Sequence, residues 1–364
     1  MRKIIAGMTA ALLAIILVFP CKAISAESAI LVDAQTGRVL YEKNADKQSL
    51  IASTTKIMTA LVVCEQTNVL DRVCIPKEAV GIEGSSIYLK EGEILTVQEL
   101  LYGLMLHSGN DAAVALAIYC AGTVEGFAER MNDKARCLGM KDTHFVNPNG
   151  LDAPGHYSTA KDMALLAAYA MENPFFAQTV SAKTVKISNR TLQNHNKLLW
   201  QLEGADGVKT GYTKAAGRIL VSSAIRQGRR LVMVTMNDPN DWQDHKKLME
   251  EGFSRYQLSR LISEGECLGY VEVAGGQEGA VSLIATEDFC YPMAENEDFS
   301  ILLPQPGFVY APTVEGQDAG IAYVCIGDKA VGQVKVIFGK TIELEQLPRK
   351  SLWEKIKAFV RREP

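Results

Sequence analysis

The 364-residue chain has no C-x-x-C pair, no H-E-x-x-H and no other close grouping of its 8 cysteines and 5 histidines. A structural zinc site, or a zinc-activated water, therefore has no ligand set from which to be built. Positive charge is not in excess either. The 38 lysines and arginines stand against 42 aspartates and glutamates, for a formal net charge of -4 and a pI near 5.9. That balance gives no whole-chain case for nucleic-acid binding, which draws on a strongly basic face. No segment of 20 to 50 residues repeats, so solenoid architectures are excluded, and no low-complexity linker is present. The apolar run "IIAGMTAALLAIILVF" at 4–19 is shorter than the ~20 residues a membrane-spanning helix needs.

What is present is the composition of an ordinary globular protein, 48% hydrophobic and 22% charged, in a chain long enough for two domains with a large core. The first residues belong to targeting. Arg2 and Lys3 precede the apolar run, and Pro20 and the small residues ending "AISA" at 23–26 follow it. This is the pattern of a secretory signal peptide over residues 1–26, cut near Ala26, with Cys21 leaving in the discarded piece. Seven cysteines stay behind: Cys64, Cys74, Cys120, Cys137, Cys267, Cys290 and Cys325. Their number is odd, their pairing is not readable, and each is expected to be a small buried apolar residue.

Downstream, "AILVDAQTGRVLYEKN" (29–44) alternates around Gly37 and predicts a β-hairpin. Helical periodicity predicts helices at 53–66, 97–106, 110–121, 123–138, 159–171 and 241–256. The strands "GRILVSSAI" and "RRLVMVTMN" flank "RQG" as a second hairpin, preceded by "GVKTGYT" at 207–213. Residues 27–257 are thus expected to form an α+β domain, an antiparallel sheet packed with helices. Residues 258–347 change to short β-type runs between glycine-rich turns, which predicts a small all-β domain. At 348–364, Leu352, Trp353, Ile356, Phe359 and Val360 share one helical face among six basic residues. Such a helix suits an anionic membrane surface, and docking on its own protein is the other use of the same pattern.

Within this frame the stretch "IASTTKIMTA" (51–60) places Ser53 and Lys56 one helical turn apart in apolar surroundings. A serine hydroxyl needs a base to become a nucleophile, and a lysine kept neutral by burial can be that base. The first turn of a helix also offers backbone N–H groups to an oxyanion. The alternative is a serine cap followed by a surface lysine. Two further triplets decide between them. "HSGNDAAVAL" sets Ser108 and Asn110 at a junction of two apolar helices, where either could otherwise serve as a cap. "GVKTGYT" sets Lys209, Thr210 and Gly211 on a strand, where an exposed strand end is the plain reading. The three in this order, spaced about 55 and then about 100 residues apart, form one chemical constellation.

With these stretches, and with "MNDKARCLGMKDTHFVNPNGLDAPGHYSTAKDMALLA" and "DGVKTGYTKAAGRILVSSA", the chain resembles the penicillin-recognising serine enzymes over roughly residues 28–256. Within them it is most similar to the low-molecular-mass penicillin-binding proteins that are serine-type D-Ala-D-Ala carboxypeptidases. The β-rich segment resembles their C-terminal domain, and the tail resembles their membrane anchor.

The resemblance implies a β-lactamase/DD-peptidase-like fold and an acyl-enzyme on Ser53, with Lys56 as proton acceptor and Ser108 relaying a proton to the leaving amine. It further implies that Asn110 holds the substrate amide and Lys56, and that Lys209 and Thr210 hold a terminal carboxylate. Gly211 would let a peptide backbone pair along its strand, and the N–H groups of Ser53 and Tyr212 would form the oxyanion hole. Where many relatives have histidine after K-T-G, this chain has Tyr212.

The implied substrates are peptidoglycan stem peptides ending in D-Ala-D-Ala and the implied inhibitors are β-lactams. No cofactor, metal or nucleic acid is expected, and the protein is expected to be exported to the extracytoplasmic face of the cell membrane or the cell wall. A β-lactamase of the glutamate-assisted type would need an E-x-x-L-N loop, which none of Glu125, Glu129, Glu172 or Glu203 supplies. A non-catalytic β-lactam or peptidoglycan receptor would be expected to carry a signalling span. His156 and Asp162 read as cap and loop partners, and Trp200 and Trp242 as packing.

Overall fold

A computed structural model describes residues 24–303, 307–346 and 353. The apolar run at 4–19 lies outside the described residues, as does the amphipathic tail apart from Trp353.

In chain order the first part contains β1 (Ser28–Asp33), β2 (Val39–Lys43), a 3-10 turn (Ala52–Thr55), α1 (Lys56–Gln66), β3 (Arg72–Cys74), β4 (Ile94–Thr96), α2 (Val97–Leu106), α3 (Asn110–Ala121) and α4 (Val124–Leu138). It continues with α5 (Ala160–Ala170), α6 (Pro174–Ser181), β5 (Thr184–Ile187), β6 (Arg190–Gln193), α7 (Leu198–Gln201), β7 (Ala205–Thr213), β8 (Gly217–Arg226), β9 (Arg229–Met236) and α8 (Asp241–Arg255). One antiparallel sheet in the order β2-β1-β9-β8-β7 organises it. The chain's first hairpin thus joins the last one across about 200 residues, through pairs such as Ile30 with Val234.

Every residue of β1 is buried because both faces of the sheet are covered. Ile30 and Val32 point with Ile219, Val221, Val232 and Val234 into the large cluster beneath α1 to α6. Ala29 and Leu31 point with Leu220, Leu231 and Met233 the other way, onto Leu198 of α7 and onto Leu248 and Met249 of α8. The period-2 geometry of a strand divides its apolar residues between two cores.

The predicted helices are present with their ends moved by a residue or so. Thr123 and Thr159 lie just outside α4 and α5 as their side-chain caps, and Gly139 closes α4 in the left-handed conformation. The predicted helix at 53–66 differs in kind, since its first turn is 3-10 and α1 begins at Lys56.

From 256 to 346 the regular elements of the described residues are all β: β10 (Tyr256–Ile262), β11 (Cys267–Ala274), β12 (Ala280–Ala285), β13 (Phe289–Ala294), β14 (Phe299–Leu302), β15 (Phe308–Tyr310), β16 (Asp318–Ile326) and β17 (Lys329–Phe338). Six of these form a sheet in the order β14-β16-β17-β12-β11-β15, and β10 pairs with β13. The four most regular alternations, in β11, β12, β16 and β17, were legible in the sequence. The shorter, more exposed strands β14 and β15 were not.

The expectation that each cysteine is buried needs correcting. Cys325 is buried, Cys64 and Cys120 are partly so, and Cys74, Cys137, Cys267 and Cys290 are exposed. They fall on outward positions of strands and of α4, where periodicity rather than residue type fixes the face. Burial pushes the Cys64 and Cys120 thiols up to about 12 and about 11, which makes both unreactive.

Candidate active site

The 3-10 turn places Ser53 directly before α1, and in such a turn positions three apart eclipse. Lys56 Nζ therefore lies 2.9 Å from Ser53 Oγ. The turn breaks a local rule, because Ala52 holds a φ of +43, in a region few non-glycine residues enter. Ser53 caps nothing, and no side chain caps the turn or α1. Lys56 is fully buried. The plain reading of a cap and a surface lysine does not describe this pair.

Two carbonyl oxygens meet the same amine: Asn110 Oδ1 at 2.7 Å and the main-chain oxygen of Asn149 at 2.5 Å. Burial, followed by the positive charge of Lys209, pushes the Lys56 pKa well below its usual value, with Asp111 opposing. A neutral amine carries two N–H bonds and one lone pair. In that form, with the N–H bonds directed at the two carbonyls, the lone pair would face the Ser53 hydroxyl.

Asn149 belongs to a loop shaped by its own side chains. Gly150 N donates to Asn147 Oδ1 at 2.7 Å, and Leu151 N donates to Asn149 Oδ1 at 3.1 Å. Gly150 has a φ of +83, and a Cβ there would sit 1.9 Å from Ala52 O, so only glycine lets the loop press on the serine turn. His156 fastens the two together. Its Nδ1 accepts from Val146 N at 3.0 Å, which leaves Nε2–H to donate to Thr55 Oγ1 at 2.8 Å. Thr55 Oγ1 in turn donates to Ala52 O at 2.8 Å. Burial, aided by His144, lowers the His156 pKa to about 4, so the ring stays neutral and keeps this donor pattern.

The second triplet bends sharply before α3. Ser108 has a φ of +63, and Gly109 is an N-cap with no side chain. Asn110 is held on both sides, its N donating to Ser85 O at 2.7 Å and its Nδ2 to Glu83 O at 2.5 Å. Asp111 pins the same loop by accepting from Ile87 N and Leu89 N at 3.1 Å and from Ser86 Oγ at 2.6 Å.

The third triplet lies on β7, at the sheet edge. At Gly211 a Cβ would come within 3.3 Å of Ala52 Cβ, Ile51 O and Ser53 N, so the strand passes directly over the serine turn. Lys209 is buried behind the strand, donating from Nζ to Thr210 O at 2.8 Å, and burial lowers its pKa to about 7. Beside it His195 is lowered to about 4 by burial, then by Lys209 and His107.

Ser53, Ser108, Thr210, Gly211 and Tyr212 line one cleft of about 380 Å³. Lys56 and Asn110 are joined to Ser53 from behind it, and Lys209 lies beneath its strand wall. All eight residues singled out in the sequence therefore fall around one space. The arrangement provides an alcohol next to a buried amine whose pKa is driven down, with backbone at a strand edge alongside. It is suited to nucleophilic attack on a carbonyl.

Sequence reading missed four contributors. The Asn149 oxygen is main chain and leaves no residue-type signal. His156 was assigned to loop bonds, which it makes, but one of them reaches the serine turn. Arg218 and Trp242 line the far end of the cleft, where Arg218 makes a bidentate pair with Asp241 (Nη2 to Oδ1 2.9 Å and to Oδ2 2.7 Å) and lies 5.8 Å from the Trp242 ring. Trp242 was taken for packing alone. The pairing of β8 with β7 in sequence gives the only hint of Arg218's place.

Residues 18–240 match the family described as D-alanyl-D-alanine carboxypeptidase, and residues 256–344 match the penicillin-binding protein 5 C-terminal domain. The chain is 33% identical to D-alanyl-D-alanine carboxypeptidase DacF of Bacillus subtilis, over 81% of this chain and 80% of that protein. It is 31% identical to DacA of Escherichia coli, over 93% of this chain and 87% of that one. Among solved structures, penicillin binding protein 5 from Haemophilus influenzae superposes with a TM-score of 0.75 at 29% identity, covering 88% of this chain and 98% of that one.

Proposed function

The chain belongs to the D-alanyl-D-alanine carboxypeptidase family, and from that premise we propose that Ser53 is its nucleophile and Lys56 its base. The protein is a serine-type peptidase that removes the terminal D-alanine from peptidoglycan stem peptides. The observation that carries the assignment is the buried Lys56 amine, 2.9 Å from Ser53 Oγ and directed by two carbonyl oxygens.

In this reading Lys56 takes the Ser53 proton as Oγ attacks the carbonyl carbon of the penultimate D-alanine. The oxyanion is met by the N–H groups of Ser53 and Tyr212. The C–N bond then breaks, and the proton passes from Lys56 through Ser108 to the leaving amine. Water, deprotonated by the same amine, attacks the ester and frees Ser53 and the shortened peptide. Asn110 orients Lys56 and the substrate amide. Lys209 and Thr210 take the terminal carboxylate, whose arrival restores the charge that burial withholds from Lys209. Gly211 leaves room for the peptide backbone to pair along β7.

Labelling with penicillin, followed by intact mass and peptide mapping, tests the assignment. One adduct on Ser53 is expected, and a label elsewhere would refute it. Rapid turnover of a chromogenic cephalosporin, without release of D-alanine from a model peptide, would favour the β-lactamase reading. We also place the division between catalytic and β-rich domains at 257/258, and propose export by an N-terminal leader and membrane association through the basic amphipathic helix at 348–364. These rest on the charged and apolar patterning of the sequence.

A further inference from the structure

The segment Ile24–Glu27 is built into the fold. Ile24 and Ala26 are buried in the cluster of Leu198, Leu202, Leu248 and Met249. Ser25 N donates to Asp244 Oδ2 at 2.6 Å, and Ser25 Oγ, with one proton to give, lies within hydrogen-bonding reach of both that oxygen, at 2.9 Å, and Asp238 Oδ1. Lys43 Nζ holds the carbonyls of Ile24 and Ala26 at 3.3 and 2.5 Å, and Glu27 N donates to Met236 O at 3.1 Å. Asp238 is itself buried, with Oδ2 lacking a hydrogen-bond partner. Burial and the nearby Asp244 carboxylate raise its pKa. Losing Ser25 would take the main-chain donor from Asp244 and the hydroxyl from beside Asp238, leaving Asn240 N, at 3.1 Å, on Asp238 Oδ1, and a buried carboxylate short of donors is costly.

We propose that the mature chain begins at Ile24, the leader being cut between Ala23 and Ile24, and that residues 24–26 are retained as a strap closing the α8 side of the sheet. This rests on reading residues 1–23 as an export leader. It moves the cut from the neighbourhood of Ala26 to a bond that leaves the strap whole. The sequence supports the shift. Leader cleavage wants small side chains at the last and third-last positions of the leader. A cut after Ala23 supplies Ala23 and Cys21, whereas one after Ala26 would put the bulky Ile24 in the third-last place.

The test is to produce the full chain in an exporting host and determine its first residue by N-terminal sequencing and intact mass. A first residue of Ile24 is expected. A start at Glu27 or later overturns the proposal while leaving the leader intact, and an uncut chain overturns both. A second measurement addresses the strap. Ser25→Ala is expected to lower the melting temperature by roughly 2 °C or more, and deletion of residues 24–26 by at least about 5 °C. An unchanged melting temperature in Ser25→Ala would overturn the retained strap even if the deletion could not be produced.

Discussion

At the scale of single residues the proposed mechanism makes opposite demands on two lysines whose pKa values burial lowers alike. Lys56 must be neutral to accept the serine proton, and Lys209 must be charged to hold a carboxylate. Lys56→Met keeps the volume but removes the lone pair. Acylation by penicillin and turnover of a D-Ala-D-Ala peptide are both expected to fall by about 10²-fold or more, with the fold intact by circular dichroism. The pH profile follows from the same pair. As pH falls, Lys56 gains a proton and kcat/KM drops on the acid side. As pH rises through about 7, free Lys209 loses its charge and kcat/KM drops again. Lys209→Arg keeps the charge at all working pH values. A rate profile of that variant should lose the alkaline limb and retain the acid one, at a lower maximum.

At the scale of elements, stability and function are distributed unequally. The helices α2, α4, α5 and α6 begin with Thr96, Thr123, Thr159 and Asn173 as side-chain caps. The turn and helix carrying Ser53 and Lys56, and the helix carrying Asn110, begin with none. Their entries instead contain Ala52 and Ser108 at positive φ, strain that the surrounding packing must over-determine. Caps away from the cleft should therefore be separable from catalysis. Thr123→Ala removes the acceptor for Gly126 N at 3.0 Å and is expected to cost about 1 kcal/mol. Urea denaturation should register that loss while kcat and KM stay as in the parent protein.

At the scale of the whole molecule, the catalytic part and the β-rich part are joined by an arginine. Arg38, at the tip of the first hairpin, donates to Pro292 O and Glu297 Oε1, and lies 4.9 Å from the Tyr256 ring and 5.2 Å from the Tyr291 ring. Its side chain is 11% exposed and that of Glu297 is 28% exposed, so the pair is partly shielded from water. Arg38→Ala should cost about 1 to 3 kcal/mol of coupling between the two parts. Calorimetry should then resolve two melting transitions where the parent protein gives a more cooperative one. Turnover of a soluble peptide should be unaffected, because the cleft lies elsewhere on the sheet.

The sequence alone pointed to the residues proposed to carry the chemistry and to the longer, strongly periodic helices and strands. A nucleophile, a base and their spacing are properties of residue type, and apolar periodicity is a property of local chain geometry. It could not determine that a main-chain oxygen at Asn149 would direct the Lys56 amine, or that His156 would clamp the turn through Thr55. Nor could it place Arg218 and Trp242 at the cleft, or seat Ile24 and Ala26 within a core. Those depend on which distant stretches meet when β1 pairs with β9 across most of the catalytic chain. A carbonyl oxygen has no identity in the sequence, and the pKa of a lysine falls chiefly through the water that packing removes from it.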